Sequence, residues 1–170
     1  ARLSSLWRDG PALLLFWRYF GCGCGIQRAD RLRDEYPQYL AGGAKVVVIG
    51  QGEPLRAAAY REKYGIPCPI LCDPGRMAFA GYGLLEGSEA QILFDAPEAM
   101  QRRERQAGEE FARARRQAGR TPVDSPWQLP GEFVIDAQGV VRLAYRYQYC
   151  EDFPNPLVLI AAIRAARDKP

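Results

Sequence analysis

The residues of this chain best suited to chemistry are cysteines. Of the five present, Cys22 and Cys24 are set among glycines in the stretch Gly21-Cys22-Gly23-Cys24-Gly25. An apolar run, Ala12 to Trp17, precedes them and a helical pattern follows, so Cys22 stands where a strand hands over to a helix. A helix N-terminus offers unpaired N–H groups and about half a positive charge, which stabilises a thiolate and lowers a thiol pKa. Arg18, just upstream, is a permanent cation that either adds to this effect or pairs with a carboxylate. Cys22 is therefore expected to titrate below the free-thiol value of about 8.5. It would act as nucleophile, with Cys24 as the resolving thiol. A Cys-Gly-Cys disulfide closes a very small ring and should be easily reduced. The plainer alternative makes Cys22 a small buried hydrophobe and points Cys24 away from it.

The chain has no histidine. That removes Cys-His and Ser-His nucleophile pairs and every histidine-bearing zinc site, so a reactive thiol must rely on a helix terminus or on Arg and Lys. Cys68, Cys72 and Cys150 flank later strands. Strand spacing places Cys72 and Cys150 roughly 10 Å from Cys22, beyond disulfide reach without movement, so these cysteines are expected to be structural. A zinc site of Cys-x-Cys plus Cys-x3-Cys would need those distances to collapse, and no metal or organic cofactor is expected. An odd cysteine count without the spacing of a secreted scaffold points to a reducing, cytoplasmic setting. The net charge of +3 is too small to argue for nucleic acid, and no apolar run approaches the roughly 20 residues that span a bilayer.

The elements that must hold the cysteines follow from hydrophobic patterning. Ala12 to Tyr19 and Val46-Val47-Val48-Ile49 are apolar without alternation, as in strands buried on both faces. Residues 25–40 carry Ile26, Ala29, Leu32 and Tyr36 at helical spacing, with Pro37 expected to kink or end that helix. Glu53 to Tyr64 reads as a second helix with Pro54 in its first turn, and Pro69 to Cys72 as a short strand. Strand, helix, strand, helix, strand implies right-handed crossovers and a parallel sheet. Residues 84–130 differ in texture. Seven arginines between Arg102 and Arg120 are interleaved with glutamates, and Met100, Ala107, Phe111, Ala114 and Ala118 make a narrow apolar stripe. This reads as a solvated inserted helix, docking by its stripe as a lid or as a contact between two copies, with loop from Gln117 to Trp127. Gly131 to Asp136, the turn Ala137-Gln138-Gly139 and the alternating strand that follows form a hairpin at a sheet edge. A last helix, opened by Asn155 and Pro156, buries Leu157, Ile160, Ile163 and Ala166.

This order resembles the thioredoxin fold, and more closely the peroxiredoxin-like alkyl hydroperoxide reductase / thiol-specific antioxidant family. The resemblance rests on Leu15-Phe16-Trp17-Arg18-Tyr19-Phe20-Gly21-Cys22, on Gly65 to Pro74 (Gly-Ile-Pro-Cys-Pro-Ile-Leu-Cys-Asp-Pro), and on Gly131 to Gly139 (Gly-Glu-Phe-Val-Ile-Asp-Ala-Gln-Gly). It implies an α/β three-layer sandwich with a mixed five-stranded sheet in the order 69–72, 44–50, 12–19, 131–136, 140–147 and helices on both faces. Residues 1–170 would form a single domain carrying the charged insertion at about 84–130. The family pattern has a proline and a hydroxyl residue before the cysteine, and an arginine three residues before the later Phe. Here Gly21 and Phe20 precede Cys22, and Pro130 takes the arginine's place. A proline there is similar to thioredoxin, in which a cis-proline packs against the cysteines, so Pro130 is expected to be cis and to lie against the Cys22 turn.

The resemblance implies a thiol-dependent antioxidant oxidoreductase that reduces a peroxide or a disulfide. Cys22, Cys24 and Arg18 would be catalytic, with Trp17, Gly21, Gly23 and Pro130 lining the substrate, and thioredoxin or a similar thiol the reductant. Without the loop hydroxyl and the later arginine, peroxide reduction should be slow. The alternative is a non-catalytic thioredoxin-fold interaction domain, dimerising through the insert.

Overall fold

A computed structural model describes residues 2–88, 90–94, 96–119 and 124–168, and the backbone alone of residues 93 and 94. Five strands form one sheet: β1 (Ala12–Phe16), β2 (Lys45–Gly50), β3 (Ile70–Cys72), β4 (Gly131–Ile135) and β5 (Val141–Arg146). Their spatial order is β3-β2-β1-β4-β5. β2 lies parallel to β1 and to β3, whereas β4 is antiparallel to both β1 and β5. This is the mixed sheet that the resemblance implies.

The apolar runs explain why β1 and β2 occupy the middle. Leu13, Leu15, Val46 and Val48 face one layer, packed with Ala29, Leu32, Tyr39, Leu159 and Ile163. Leu14, Phe16, Val47 and Ile49 face the other, with Phe79 and Leu84. A strand covered on both sides needs an apolar residue at every position. β5, at the edge, keeps its alternation: Leu143 and Tyr145 are half-buried between exposed Arg142, Ala144 and Arg146.

Helices α1 (Gly23–Ala41), α2 (Pro54–Lys63) and α5 (Pro156–Arg167) and the short α3 (Met77–Gly81) cover the sheet. α1 runs unbroken through Pro37, where a kink or an end was expected. α5 is capped by the Asn155 side chain, which accepts from the Leu157 N–H at 2.9 Å. It buries Leu159 in place of the expected Leu157, which is 67% exposed. Between β3 and β4 the chain forms a π-helical turn (Ala90–Phe94) and α4 (Glu98–Gln117), which packs on α1. Of the loop expected after α4, residues 120–123 lie outside the described residues. α4 is not solvated all round, for Met100, Glu104 and Arg115 are all buried. Glu104 falls at helical spacing between Met100 and Ala107, so it lies within the stripe that docks. Among the described residues no helix is long and apolar enough to cross a membrane.

Candidate active site

β1 ends at Phe16, and the chain turns through residues 17–22 before entering α1. Trp17 N–H donates to the Ile49 carbonyl at 2.9 Å. Gln51 Nε2 reaches the Arg18 carbonyl at 2.5 Å, and Arg56 Nη2 the Phe20 carbonyl at 3.0 Å. Gly21 has φ +126°, and a Cβ there would meet Phe111 of α4 at 2.5 Å, so both backbone conformation and space require glycine. Cys22 is the N-cap of α1, and its Sγ accepts the Gly25 N–H at 3.1 Å. A Cβ on Gly25 would lie 3.0 Å from the Tyr60 hydroxyl and 3.1 Å from Cys22 Sγ. The Tyr60 hydroxyl therefore lies near the thiol, and it is buried without a hydrogen-bond partner among the described residues.

The two sulfurs of the Cys-Gly-Cys turn are 2.9 Å apart, and both cysteines are free thiols. Arg18 is fully enclosed beside them. Its Nη1 lies 3.6 Å from Cys24 Sγ, 2.6 Å from Cys150 Sγ and 2.9 Å from Glu104 Oε2, and its Nη2 donates to the Pro126 carbonyl. Arg18 thus pairs with a carboxylate, the second of the two roles open in the sequence, and its sulfur contacts are with Cys24 and Cys150. The other oxygen of Glu104 accepts the Cys24 N–H at 2.5 Å, so a carboxylate already occupies the anion position at the start of α1.

Three sequence expectations need correction here. The first is Cys150. Strand counting set it apart from the cysteine turn as a structural residue, yet its sulfur lies 2.6 Å from the Arg18 Nη1 that also approaches Cys24. Beyond β5 the chain folds back across the end of β4, with Tyr147 N–H on the Pro130 carbonyl and Tyr147 hydroxyl on Glu132, and returns Cys150 to the end of β1. Cys72 and Cys68 stay apart. Cys68 is buried in the apolar core, and Cys72 is half-buried at its rim.

The second is Pro130. No cis peptide bond occurs among the described residues. The chain enters β4 extended, with the Leu129 N–H on the Leu85 carbonyl, and makes no tight turn at the proline. Pro130 nevertheless lines a cleft of about 10 Å³ together with Trp17, Arg18, Cys24 and Cys150.

The third is the Cys22 thiol. Burial pushes it well above the ordinary thiol range, and the neighbouring Cys24 and Glu104 add to that shift against the pull of Arg18. Cys24 is raised as well, chiefly by burial. The helix terminus and the arginine are both present, but α4 seals the site and Glu104 takes up part of their positive charge.

The sequence reading missed Glu104, Cys150, Tyr60 and Gln51. Only Glu104 left a signal, a lone carboxylate inside the apolar stripe of α4. Trp17 and Gly23 border the site, the latter directly under α4, where a Cβ would meet the Arg103 carbonyl at 3.3 Å. The only donor cluster suited to a metal among the described residues is Cys22, Cys24 and Glu104, within 4.8 Å of one another. The Arg18 guanidinium already neutralises that group, and a second cation there would be repelled.

A five-stranded mixed sheet with cysteines at the β1–α1 turn defines a thioredoxin-like protein with a thiol site. A family model described as AhpC/TSA antioxidant enzyme matches residues 31–149, more than half of the chain, and the chain belongs to this family. The match begins after Cys24 and ends before Cys150, so the sulfur cluster itself lies outside it. The chain is 28% identical over 98 residues to the chloroplastic thioredoxin-like protein AAED1 of Arabidopsis thaliana, covering 58% of this chain and 39% of that one. It is 26% identical over 129 residues to the chloroplastic peroxiredoxin Q of Populus jackii, covering 75% and 43%. The chain thus spans about two-fifths of the curated relatives it matches. Among solved structures, peroxidoxin BcpB from Mycobacterium tuberculosis superposes with a TM-score of 0.64 at 21% identity, over 99% of this chain and 87% of that chain, and shares its fold.

Proposed function

We propose that this chain is a thiol-dependent antioxidant oxidoreductase in which Cys22 is the nucleophile, Cys24 the resolving thiol and Arg18 the cation that stabilises the reacting sulfur. The observation that carries this reading is the juxtaposition of Cys22 Sγ, capping α1, with Cys24 Sγ at 2.9 Å, and of Cys24 Sγ with Arg18 Nη1 at 3.6 Å. In the peroxidase reaction Cys22 thiolate attacks the O–O bond of a hydroperoxide and becomes a sulfenic acid, releasing an alcohol or water. Cys24 condenses with the sulfenic acid, expelling water, and an external thiol such as thioredoxin restores both. Arg18, with the Tyr60 hydroxyl as neighbour of Cys22, takes the place of the loop hydroxyl and later arginine that the sequence lacks. Trp17 and Pro130 line the small cleft beside Cys24, whereas Gly21 and Gly23 open onto separate hollows against α4. Residues 1–170 act as one domain in a cytoplasmic setting, and the exposed remainder of α4 suits a contact between two copies.

The burial of all the site's sulfurs favours a second reading, a thioredoxin-fold interaction domain without catalysis. Mass analysis after one equivalent of hydrogen peroxide, with and without thioredoxin, tests the two. The enzyme shows oxidation confined to Cys22 and its partner, reversed by the reductant. An interaction domain shows no selective oxidation.

A further inference from the structure

Cys150 has no part in the two-cysteine reaction above, yet it sits inside the same cluster. It is completely buried on the turn after β5, where its sulfur is 2.6 Å from the same Arg18 nitrogen that lies 3.6 Å from Cys24 Sγ. One nitrogen thus bridges the sulfurs of Cys24 and Cys150, and Cys24 Sγ also lies 2.9 Å from Cys22 Sγ. The cleft of about 10 Å³ next to Cys24 and Cys150 leaves a little room for sulfur movement on that side. Cys22, by contrast, is held as the helix cap by the Gly25 N–H. The Cys22 and Cys24 sulfurs are already 2.9 Å apart, but Cys22 Sγ also accepts the Gly25 N–H, so a lasting Cys22–Cys24 bond competes with the cap on the first turn of α1. A bond between Cys24 and Cys150 joins a helix to a loop and leaves that turn wound.

We infer that Cys150 is the final resolving thiol, and that oxidation ends as a Cys24–Cys150 disulfide reached through a Cys22–Cys24 intermediate. This rests on the oxidoreductase reading above. Hydroperoxide oxidises Cys22 to the sulfenic acid and leaves as alcohol or water; Cys24 condenses with it and water is lost. Cys150, as thiolate, then attacks Cys24 Sγ. The Cys24–Cys150 bond forms, the Cys22–Cys24 bond breaks, and Cys22 leaves as thiolate and takes up the proton that Cys150 gave up. This last step is an isomerisation that needs no further oxidant, and Arg18 contacts both the attacking sulfur and the sulfur under attack. Its product returns Cys22 to the reduced state while the two electrons' worth of oxidation is stored at Cys24 and Cys150.

The test uses the wild-type chain. Hydrogen peroxide is added at one equivalent, free thiols are alkylated under denaturing conditions, and tryptic peptides are mapped without reduction. Cys22 and Cys24 share peptide 19–28, and Cys150 lies in 147–164. The expected result is a cross-link between these peptides through Cys24, with Cys22 alkylated. In Cys150→Ser the cross-link is lost and an internal Cys22–Cys24 bond takes its place. A wild-type product holding only the internal bond, with Cys150 alkylated, overturns the inference, and so does a cross-link through Cys22. A Cys24→Ser/Cys150→Ser double variant separates the two levels. A dimedone adduct on its Cys22 upholds the oxidoreductase reading whatever the fate of Cys150, whereas absence of the adduct overturns both.

Discussion

Two arginines ten positions apart, Arg18 and Arg28, are equally buried, at 3% exposure each, and their surroundings differ in kind. Arg28 sits in a closed network. Its Nε and Nη1 each contact a carboxylate at 2.7 Å, Glu132 and Glu35, and these accept in turn from Tyr147 and Tyr39. Every partner is an oxygen. Among the described residues Arg18 has one carboxylate, one carbonyl and two sulfurs as partners, and its Nε has none. A buried cation whose partners are all oxygens fixes the join between α1 and β4. One whose partners include thiols can follow a negative charge as it moves between them.

The comparison breaks most visibly at Arg28. Arg28→Met leaves the buried Glu132 without a cation and Glu35 with only the more exposed Arg31 at 3.5 Å, and should cost about 3–5 kcal/mol in urea unfolding. An unfolding midpoint close to wild type would show that this network contributes little. At Arg18 the effect should appear in chemistry. Arg18→Met should slow Cys22 oxidation by about 10²–10³-fold, the usual effect of losing one donor aimed at a developing charge. Because this also strands Glu104, the double variant Arg18→Met/Glu104→Gln should recover stability without recovering rate. Recovery of both would make Arg18 a structural cation like Arg28.

The smallest effect distinguishes the sulfurs themselves. Cys68 is pushed by burial from 9.0 to about 11, against the pull of Arg61 and Arg28. A thiol raised in the folded state stays protonated there while the unfolded chain ionises, so its stabilisation is complete below about pH 9 and declines as pH climbs towards 11. The slope is about 1.4 kcal/mol per pH unit for each such thiol. Cys22 and Cys24 are shifted the same way. Urea midpoints measured between pH 8 and 11 should fall for wild type and fall less steeply for Cys68→Val. An unchanged slope in that variant would place the titration elsewhere.

Much of the sheet was legible because it is written locally. Unbroken apolar runs in β1 and β2 and alternation in β5 state which faces are covered, and the Gly-Cys-Gly-Cys turn marks the strand-to-helix handover. The spatial order came from the resemblance and matches. What escaped depends on long-range closure. The distance of Cys150 was reckoned by counting strands, whereas the return of residues 147–150 across β4 is fixed by Tyr147 meeting Glu132 and Pro130. The raised Cys22 thiol follows from α4 lying over the turn, and nothing in residues 12–30 announces that. The seven arginines drew the α4 helix as solvated, although Glu104 in its stripe marked a buried partner for a cation.

The seal over the sulfurs also has a kinetic consequence. Cys22 and Cys150 have 0% exposure and Cys24 3%, with Met100, Glu104 and Phe111 of α4 packed around them. An oxidant in solution meets none of them directly, so each reaction must follow an opening of this contact. At low peroxide the observed rate should rise in proportion to concentration. At high peroxide it should level off at the opening rate of α4, and that plateau should be the same for hydroperoxides of different intrinsic reactivity.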